Sequence, residues 1–194
     1  IAPVIIVGRQ GEIIIDTDEQ PGKARPDKIP LLRPAFQKDG TVTAANASSI
    51  SDGAAAITLM MVDEAEARGL KPIAVIQGYD QSAQEPEWFT TAPITAIKKT
   101  LARVGWSVED VDLWEVNEAF AVVAMAAMRE LGIDHNKLNV NGGACALGHP
   151  IGASGSRIIV TLIHALRQQG AKKGIASLCI GGGEATAMAI EIVD

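Results

Sequence analysis

The chain has little aromatic material: three Trp, one Tyr and three Phe make up only 4% of its 194 residues. Hydrophobic residues nevertheless reach 47%, so a sizeable core of aliphatic and small side chains is expected, as in layered α/β proteins, and disorder over most of the length is excluded. Two cysteines, Cys145 and Cys179, are too few for a disulfide framework, and the expected location is the cytoplasm. There is no excess of basic residues. Seventeen Lys and Arg against 23 Asp and Glu leave a charge of −6, which argues against a nucleic-acid partner and leaves any anionic ligand to a local basic rim. No apolar run approaches the roughly 20 residues of a membrane span. The longest, AAAITLMMV at 54–62, is expected to be a core element, and neither a membrane partner nor a signal peptide is expected. The dinucleotide and P-loop glycine patterns are missing, and His135, His164 and the cysteines lack ligand spacing, so no metal is expected.

Present instead is a pattern of alternating strands and helices. VIIVGRQGEIIIDTDE (4–19) reads as two β-rich runs around Gly11, a hairpin. QPGKARPDKIPLLRP (20–34) strings four prolines among basic residues and reads as an irregular, exposed connection. Residues 54–61 read as a strand, although periodicity alone allows one helix from Asp52 to Arg68. A helical VDEAEARG, a strand in PIAVIQGY and a helix over 91–105 closed by Gly105 follow. SVED (107–110) carries a capping-box signature. DLWEV reads as a strand, 118–132 as a helix closed by Gly132, 154–170 as a long helix closed by Gly170, and KGIASLCI–GGG–EATAMAIEIV as an antiparallel hairpin on a mixed sheet. This alternation indicates an α/β protein.

The chemistry-bearing candidates cluster late in the chain. NVNGGACALGHPIGASG (139–155) places His149 among five glycines, directly before Pro150. Pro150 suits the first position of a helix, so His149 is expected just before a helix N-terminus, where a neutral imidazole is favoured and can serve as base or donor. Cys179 ends an apolar strand beside Gly181, Gly182 and Gly183, where a tight turn is expected to expose the sulfur and adjacent N–H groups. Cys145 reads as structural. Asn117 and Glu118 read equally as a helix cap or as polar groups at the carboxyl end of a strand, where α/β sheets present ligands. By composition, NASSISDGAA (46–55) reads as an ordinary loop.

Taken together, NEAF (117–120), the 139–155 segment and CIGGG (179–183) resemble the C-terminal signatures of the thiolases, and LRPAF (32–36) and TVTAANASSISDGAA (41–55) resemble further thiolase segments. The resemblance covers nearly the whole chain. It implies an α/β thiolase-like fold, with a mixed five-stranded sheet covered by helices as the C-terminal half of a five-layered α-β-α-β-α core. On that plan residues 1–50 correspond to the end of a loop domain, 51–71 to the last elements of the N-terminal half, including a strand at 54–61, and 72–194 to the C-terminal domain. It implies coenzyme A and acetyl-CoA as substrates with no permanently bound cofactor, a homodimer or homotetramer, and acetyl-CoA C-acetyltransferase activity or thiolysis of 3-ketoacyl-CoA. By the same resemblance His149 activates the nucleophilic cysteine and then the CoA thiol. Cys179 moves the α-proton, Asn117 holds a water at the enolate oxygen, and the Gly181 N–H joins an oxyanion hole. Ser48 and Phe36 resemble CoA-contacting residues. The family's nucleophilic cysteine belongs to an N-terminal motif that these residues, which begin at Ile1, do not contain. The chain is therefore expected to correspond to the C-terminal part of such an enzyme, to need an N-terminal thiolase half as partner, and to be inactive alone. The alternatives are a non-catalytic CoA-binding or assembly fragment and a β-ketoacyl synthase-like condensing enzyme; the CIGGG cysteine speaks against the latter.

Overall fold

The computed structural model describes residues 1–193. The chain opens with the expected hairpin, β1 (Val4–Gly8) and β2 (Gly11–Ile15), paired antiparallel from Val4↔Ile15 to Gly8↔Gly11, so the turn is Arg9–Gln10. The proline-rich connection is exposed as expected, but it coils into a short helix α1 (Glu19–Lys23) and a 3₁₀ stretch over Pro26–Leu31. Residues 54–61, expected as a strand and a core element, have no regular structure and are mostly exposed up to α2 (Val62–Ala67). A strand needs a neighbour to take its N–H and C=O groups, and no described residue pairs with this stretch.

From residue 74 onward the packing is dense. β3 (Ala74–Ala83), β4 (Leu113–Val116), β5 (Lys173–Cys179) and β6 (Glu184–Ile192) form a mixed sheet in the order β3–β6–β5–β4. β4 runs parallel to β5, and the other pairs are antiparallel. Helix α3 (Ala92–Val104) and helix α4 (Ala121–Leu131) cover one face; α5 (Ala144–Leu147) is a single turn, and α6 (Ser154–Gln169) covers the other face. The period of two along β4 and β5 sorts their side chains. Trp114, Val116, Ile175 and Cys179 enter the α3–α4 core, while Leu113, Ala176 and Leu178 meet α6. Ile158, Leu162 and Leu166 stand at i, i+4 and i+8 on α6 and are fully buried, each contributing roughly 1.5–3 kcal/mol of apolar burial. The three long helices stop as expected at Gly105, Gly132 and Gly170, each in the left-handed region that closes a helix without a Cβ penalty.

Three sequence expectations change here. The sheet has four strands among the described residues, not five. Leu138 makes a single parallel bridge to Trp114, and Asn139, with φ +48°, then turns its carboxamide onto the edge of β4. It accepts from the Val116 N–H and donates to the Val116 carbonyl, at 2.9 Å each, in place of a further ladder. SVED caps no helix: Asp110 accepts from the N–H and hydroxyl of Ser107 in a closed turn. Asn117 is not a helix cap either, because α4 begins at Ala121 with Phe120 before it. No helix among the described residues is long and apolar enough to cross a membrane.

Candidate active site

β4 ends where the site begins. The ladder continues one residue past the strand, with the Asn117 N–H donating to the Ser177 carbonyl at 2.9 Å. This seats Asn117 against β5, two positions before Cys179 and at the carboxyl end of both parallel strands. The Asn117 side chain is buried and lies 3.2 Å from His149, Nδ2 to Nε2. His149 is fixed on its other sides as well. Its N–H donates to the Ser49 carbonyl at 2.9 Å, and its Nδ1 lies 2.6 Å from Ser154 Oγ, which donates to the Pro150 carbonyl at 3.0 Å.

Each residue of NEAF fastens a different segment. Asn117 holds His149. Glu118 accepts from Asn139 Nδ2 at 3.0 Å and from the Cys145 N–H at 3.1 Å, drawing the glycine-rich loop against the strand end. A Cβ on Gly143 would stand 2.0 Å from the Glu118 carboxyl carbon, so a larger residue there would push that carboxylate off these two partners. The Ala119 carbonyl accepts from both the N–H and the hydroxyl of Ser48, at 3.1 and 2.9 Å. Phe120 meets Phe36 edge-on at 5.6 Å and Phe89 at 6.2 Å, leaving Phe36 as an exposed aromatic wall. Residues 46–50 therefore run as a strap, bridged at Ala47 to Phe120 and at Ile50 to His149. Beside it an open cleft of about 420 Å³ lies between 51–55 and 150–156.

Two expectations about ionisation are revised. His149 does stay neutral, its pKa lowered first by burial and then by the Arg157 cation. The helix that was expected to begin at Pro150 starts only at Ser154. The Pro150 carbonyl instead accepts from the Ala153 and Ser154 N–H groups, so burial and a guanidinium do what was assigned to the helix end. Cys179 does not expose its sulfur: it is buried in the α3–α4 core, and burial pushes its thiol up to about 11. Gly181 lies in the following turn with open space where a Cβ would stand, and Gly183 closes that turn by donating to the Ile180 carbonyl. Cys145, half-buried with its sulfur 3.8 Å from the Glu118 carbonyl, is likewise pushed up to about 11 by burial and by Glu118.

Sequence reasoning missed two residues. Arg157 of α6 reaches Asn117 Oδ1 at 3.4 Å and Glu115 Oε2 at 3.2 Å. Glu115 is buried, and burial raises its carboxyl to about 7 against the pull of Arg157. The available signal was a lone carboxylate inside the otherwise apolar strand LWEV, which requires a partner when buried. Among the described residues no group of three or more His, Cys, Asp or Glu could hold a metal ion.

Comparison with known proteins gives a consistent result. The family described as thiolase, C-terminal domain, matches residues 70–192, and that described as thiolase, N-terminal domain, matches residues 1–63. The chain is 53% identical over 193 residues to an acetyl-CoA acetyltransferase of Chromobacterium violaceum, covering 98% of this chain and 49% of that protein. It is 50% identical to the cytosolic acetyl-CoA acetyltransferase of Mus musculus, with 98% and 49% covered. Among solved structures it superposes on the Bacillus anthracis acetyl-CoA acetyltransferase with a TM-score of 0.92 at 47% identity, covering 100% of this chain and 49% of that one. Human mitochondrial 3-ketoacyl-CoA thiolase in complex with CoA gives 0.83 at 40% identity, with 100% and 48% covered. The chain thus spans about half the length of the relatives it matches.

Proposed function

The chain belongs to the thiolase family, and we propose that it supplies one side of the active site of a CoA-dependent acyltransferase. The reaction is the reversible condensation of two acetyl-CoA to acetoacetyl-CoA and CoA, or thiolysis of a 3-ketoacyl-CoA. The observation that carries this reading is the NEAF hub, which holds a neutral histidine, the glycine-rich loop and the 46–50 strap beside the strand that ends in Cys179. The acyl-CoA substrates are argued from the relatives' names and from the CoA-bound solved relatives. A cytoplasmic homo-oligomer, with 1–50 as the end of a loop domain, 51–71 as the close of an N-terminal half and 72–194 as the C-terminal domain, belongs to the same proposal.

In the first half-reaction the Nε2 lone pair of His149 takes the proton of an acceptor thiol as its sulfur attacks the thioester carbonyl. Collapse of the tetrahedral intermediate breaks the C–S bond to CoA, and the leaving thiolate recovers that proton. In the second, the Cys179 thiolate takes the α-proton of acetyl-CoA. The enolate carbon attacks the enzyme-bound acyl group, the C–C bond forms, and the released enzyme thiolate is reprotonated by Cys179. Asn117 holds a water that, with the His149 ring, stabilises the enolate oxygen; the Gly181 N–H stabilises the tetrahedral oxyanion. With its thiol pushed up to about 11, resting Cys179 is protonated at neutral pH. That form suits thiolysis, in which it donates to the α-carbon as the C–C bond breaks. Ser48 and Phe36 would border the CoA path.

In this reading neither Cys145, which is structural, nor Cys179, which moves the α-proton, is the acyl acceptor. Residues 1–194 incubated alone with acetyl-CoA should therefore gain no hydroxylamine-sensitive acetyl mass. In the protein with its acceptor thiol, His149→Ala should slow acyl-enzyme formation and condensation alike, by roughly 10²–10⁴-fold. A variant impaired in only one half-reaction, or a stoichiometric adduct on the isolated chain, would overturn the assignment.

A further inference from the structure

The pair of buried Glu115 and partly exposed Arg157 has no role in the reaction just described, and it is poorly built for stability. Arg157 is 3.2 Å from Glu115, yet Glu115 Oε1 and Arg157 Nε are both buried with no hydrogen-bond partner. An ion pair with orphaned polar atoms recovers little of its desolvation penalty. What the pair does provide is direction. A guanidinium carries only donors, so the carboxamide oxygen of Asn117 must be the atom that faces Arg157 Nη2. The Asn117 amide nitrogen must then face His149 Nε2, and a donor there leaves Nε2 as the acceptor. The ring proton therefore sits on Nδ1 and is given to Ser154 Oγ, whose own proton goes to the Pro150 carbonyl. From Arg157 to Pro150 every donor points one way, while on its other side Arg157 donates to Glu115.

We propose that Arg157, seated on Glu115, is a positioning residue that sets the orientation of the Asn117 amide and thereby fixes the His149 tautomer, with the ring proton on Nδ1 and Nε2 unprotonated. The inference deepens the proposed acyltransferase reading and rests on its choice of His149 and Asn117. The charged groups behind the His149 ring are Arg157 from α6 and, beyond it, Glu115 of β4; Glu118 turns its carboxylate to Asn139 and Cys145. Ser49 and Ser154 supply the neutral contacts.

The test reads the imidazole and not turnover, so it separates this inference from the reaction assignment. Diethyl pyrocarbonate acylates only neutral imidazole. Its rate at each histidine of the intact protein across pH, resolved by peptide mass spectrometry, therefore titrates His149 with the exposed His135 and His164 as internal references. Arg157→Gln should raise the His149 midpoint by about half a pH unit or more while the references stay put. Arg157→Lys, which keeps the charge, should restore most of the wild-type value. Glu115→Gln keeps the cation and mimics the protonated carboxyl favoured below about 7, so it should leave the midpoint near the wild-type value. Should Arg157→Gln fail to fold because Glu115 is left alone, Glu115→Gln/Arg157→Gln removes both charges and carries the same upward expectation. A wild-type midpoint in either Arg157→Gln background, even with lowered thermal stability, would overturn the proposal and leave the pair a packing element.

Discussion

The protein contains two antiparallel hairpins of similar apolar character and opposite fate. In β1–β2 all ten residues are exposed, including Ile5, Ile6, Ile13 and Ile14. In β5–β6 most residues are buried, and Ile175, Ala185 and Ala189 are fully inaccessible. Both have regular registers, so pairing does not separate them. The difference is that α3 and α6 stand on either face of β5–β6, whereas nothing among the described residues covers β1–β2. Hydrophobicity makes a strand available for burial, and a second layer is what buries it.

The largest expected effect sharpens the contrast at the functional end of the buried hairpin. Cys179→Ser, in a protein that also carries the acceptor thiol, should nearly abolish solvent-deuterium exchange at the α-carbon of acetyl-CoA, because a hydroxyl is far less acidic than even this raised thiol. Acylation of the acceptor thiol should survive better. Exchange at the wild-type rate would break the assignment. Matched substitutions then compare the hairpins directly. Ile175→Ala removes a fully buried side chain and should cost about 2–5 kcal/mol in chemical denaturation, while Ile6→Ala, half exposed, should cost under about 0.5 kcal/mol. Equal costs would mean that the first hairpin is covered.

Beside the buried hairpin, Glu115 gives a signed pH prediction. Its folded pKa is raised, from 4.5 to about 7, by burial that outweighs Arg157. The folded state therefore holds this proton more tightly than the unfolded chain. The resulting stabilisation is fully present below about 4.5 and lost as pH rises through about 7, a swing on the order of 3 kcal/mol. Glu115→Gln should remove that dependence, so the difference in Tm between variant and wild type should shift in the variant's favour from pH 4.5 to 8. A difference that stays flat with pH would show that folding does not raise the Glu115 pKa.

Much of the architecture was legible because period and punctuation agree. The three glycine-closed helices, the mixed sheet and the terminal hairpin follow from apolar spacing plus stop signals. Misreadings arose where a side chain took over a backbone task. Asn139 ends the sheet with its carboxamide, and Asp110 closes a turn where a capping box was expected. At the site, His149, Cys179 and Asn117 stood out by their neighbours in sequence. Arg157 did not, because it lies 40 positions from the Asn117 it contacts and becomes visible only when α6 crosses the end of β4. The run at 54–61 misled for the reason that separates the two hairpins: composition announces apolar surface without naming what will cover it.

The smallest expected effect changes no residue and tests that point directly. A two-stranded hairpin standing alone is marginal in water, since pairing without a packed face scarcely offsets the entropy of ordering the chain. Amides of β1–β2, such as those at Ile5 and Ile14, should then open locally with little free energy and exchange within the fast fraction of the molecule. Those of Ile175 and Ala189 should open only with the sheet itself. Hydrogen exchange read by mass spectrometry should resolve the two hairpins by several orders of magnitude in protection factor on 1–194 alone. Repeating the measurement with an N-terminal thiolase half present gives the sharper result. Protection of β1–β2 that rises toward that of β5–β6 would show that its isoleucines lie under another layer. Exchange that stays fast there would leave them as free apolar surface, and slow exchange in 1–194 alone would refute the view that burial separates the two.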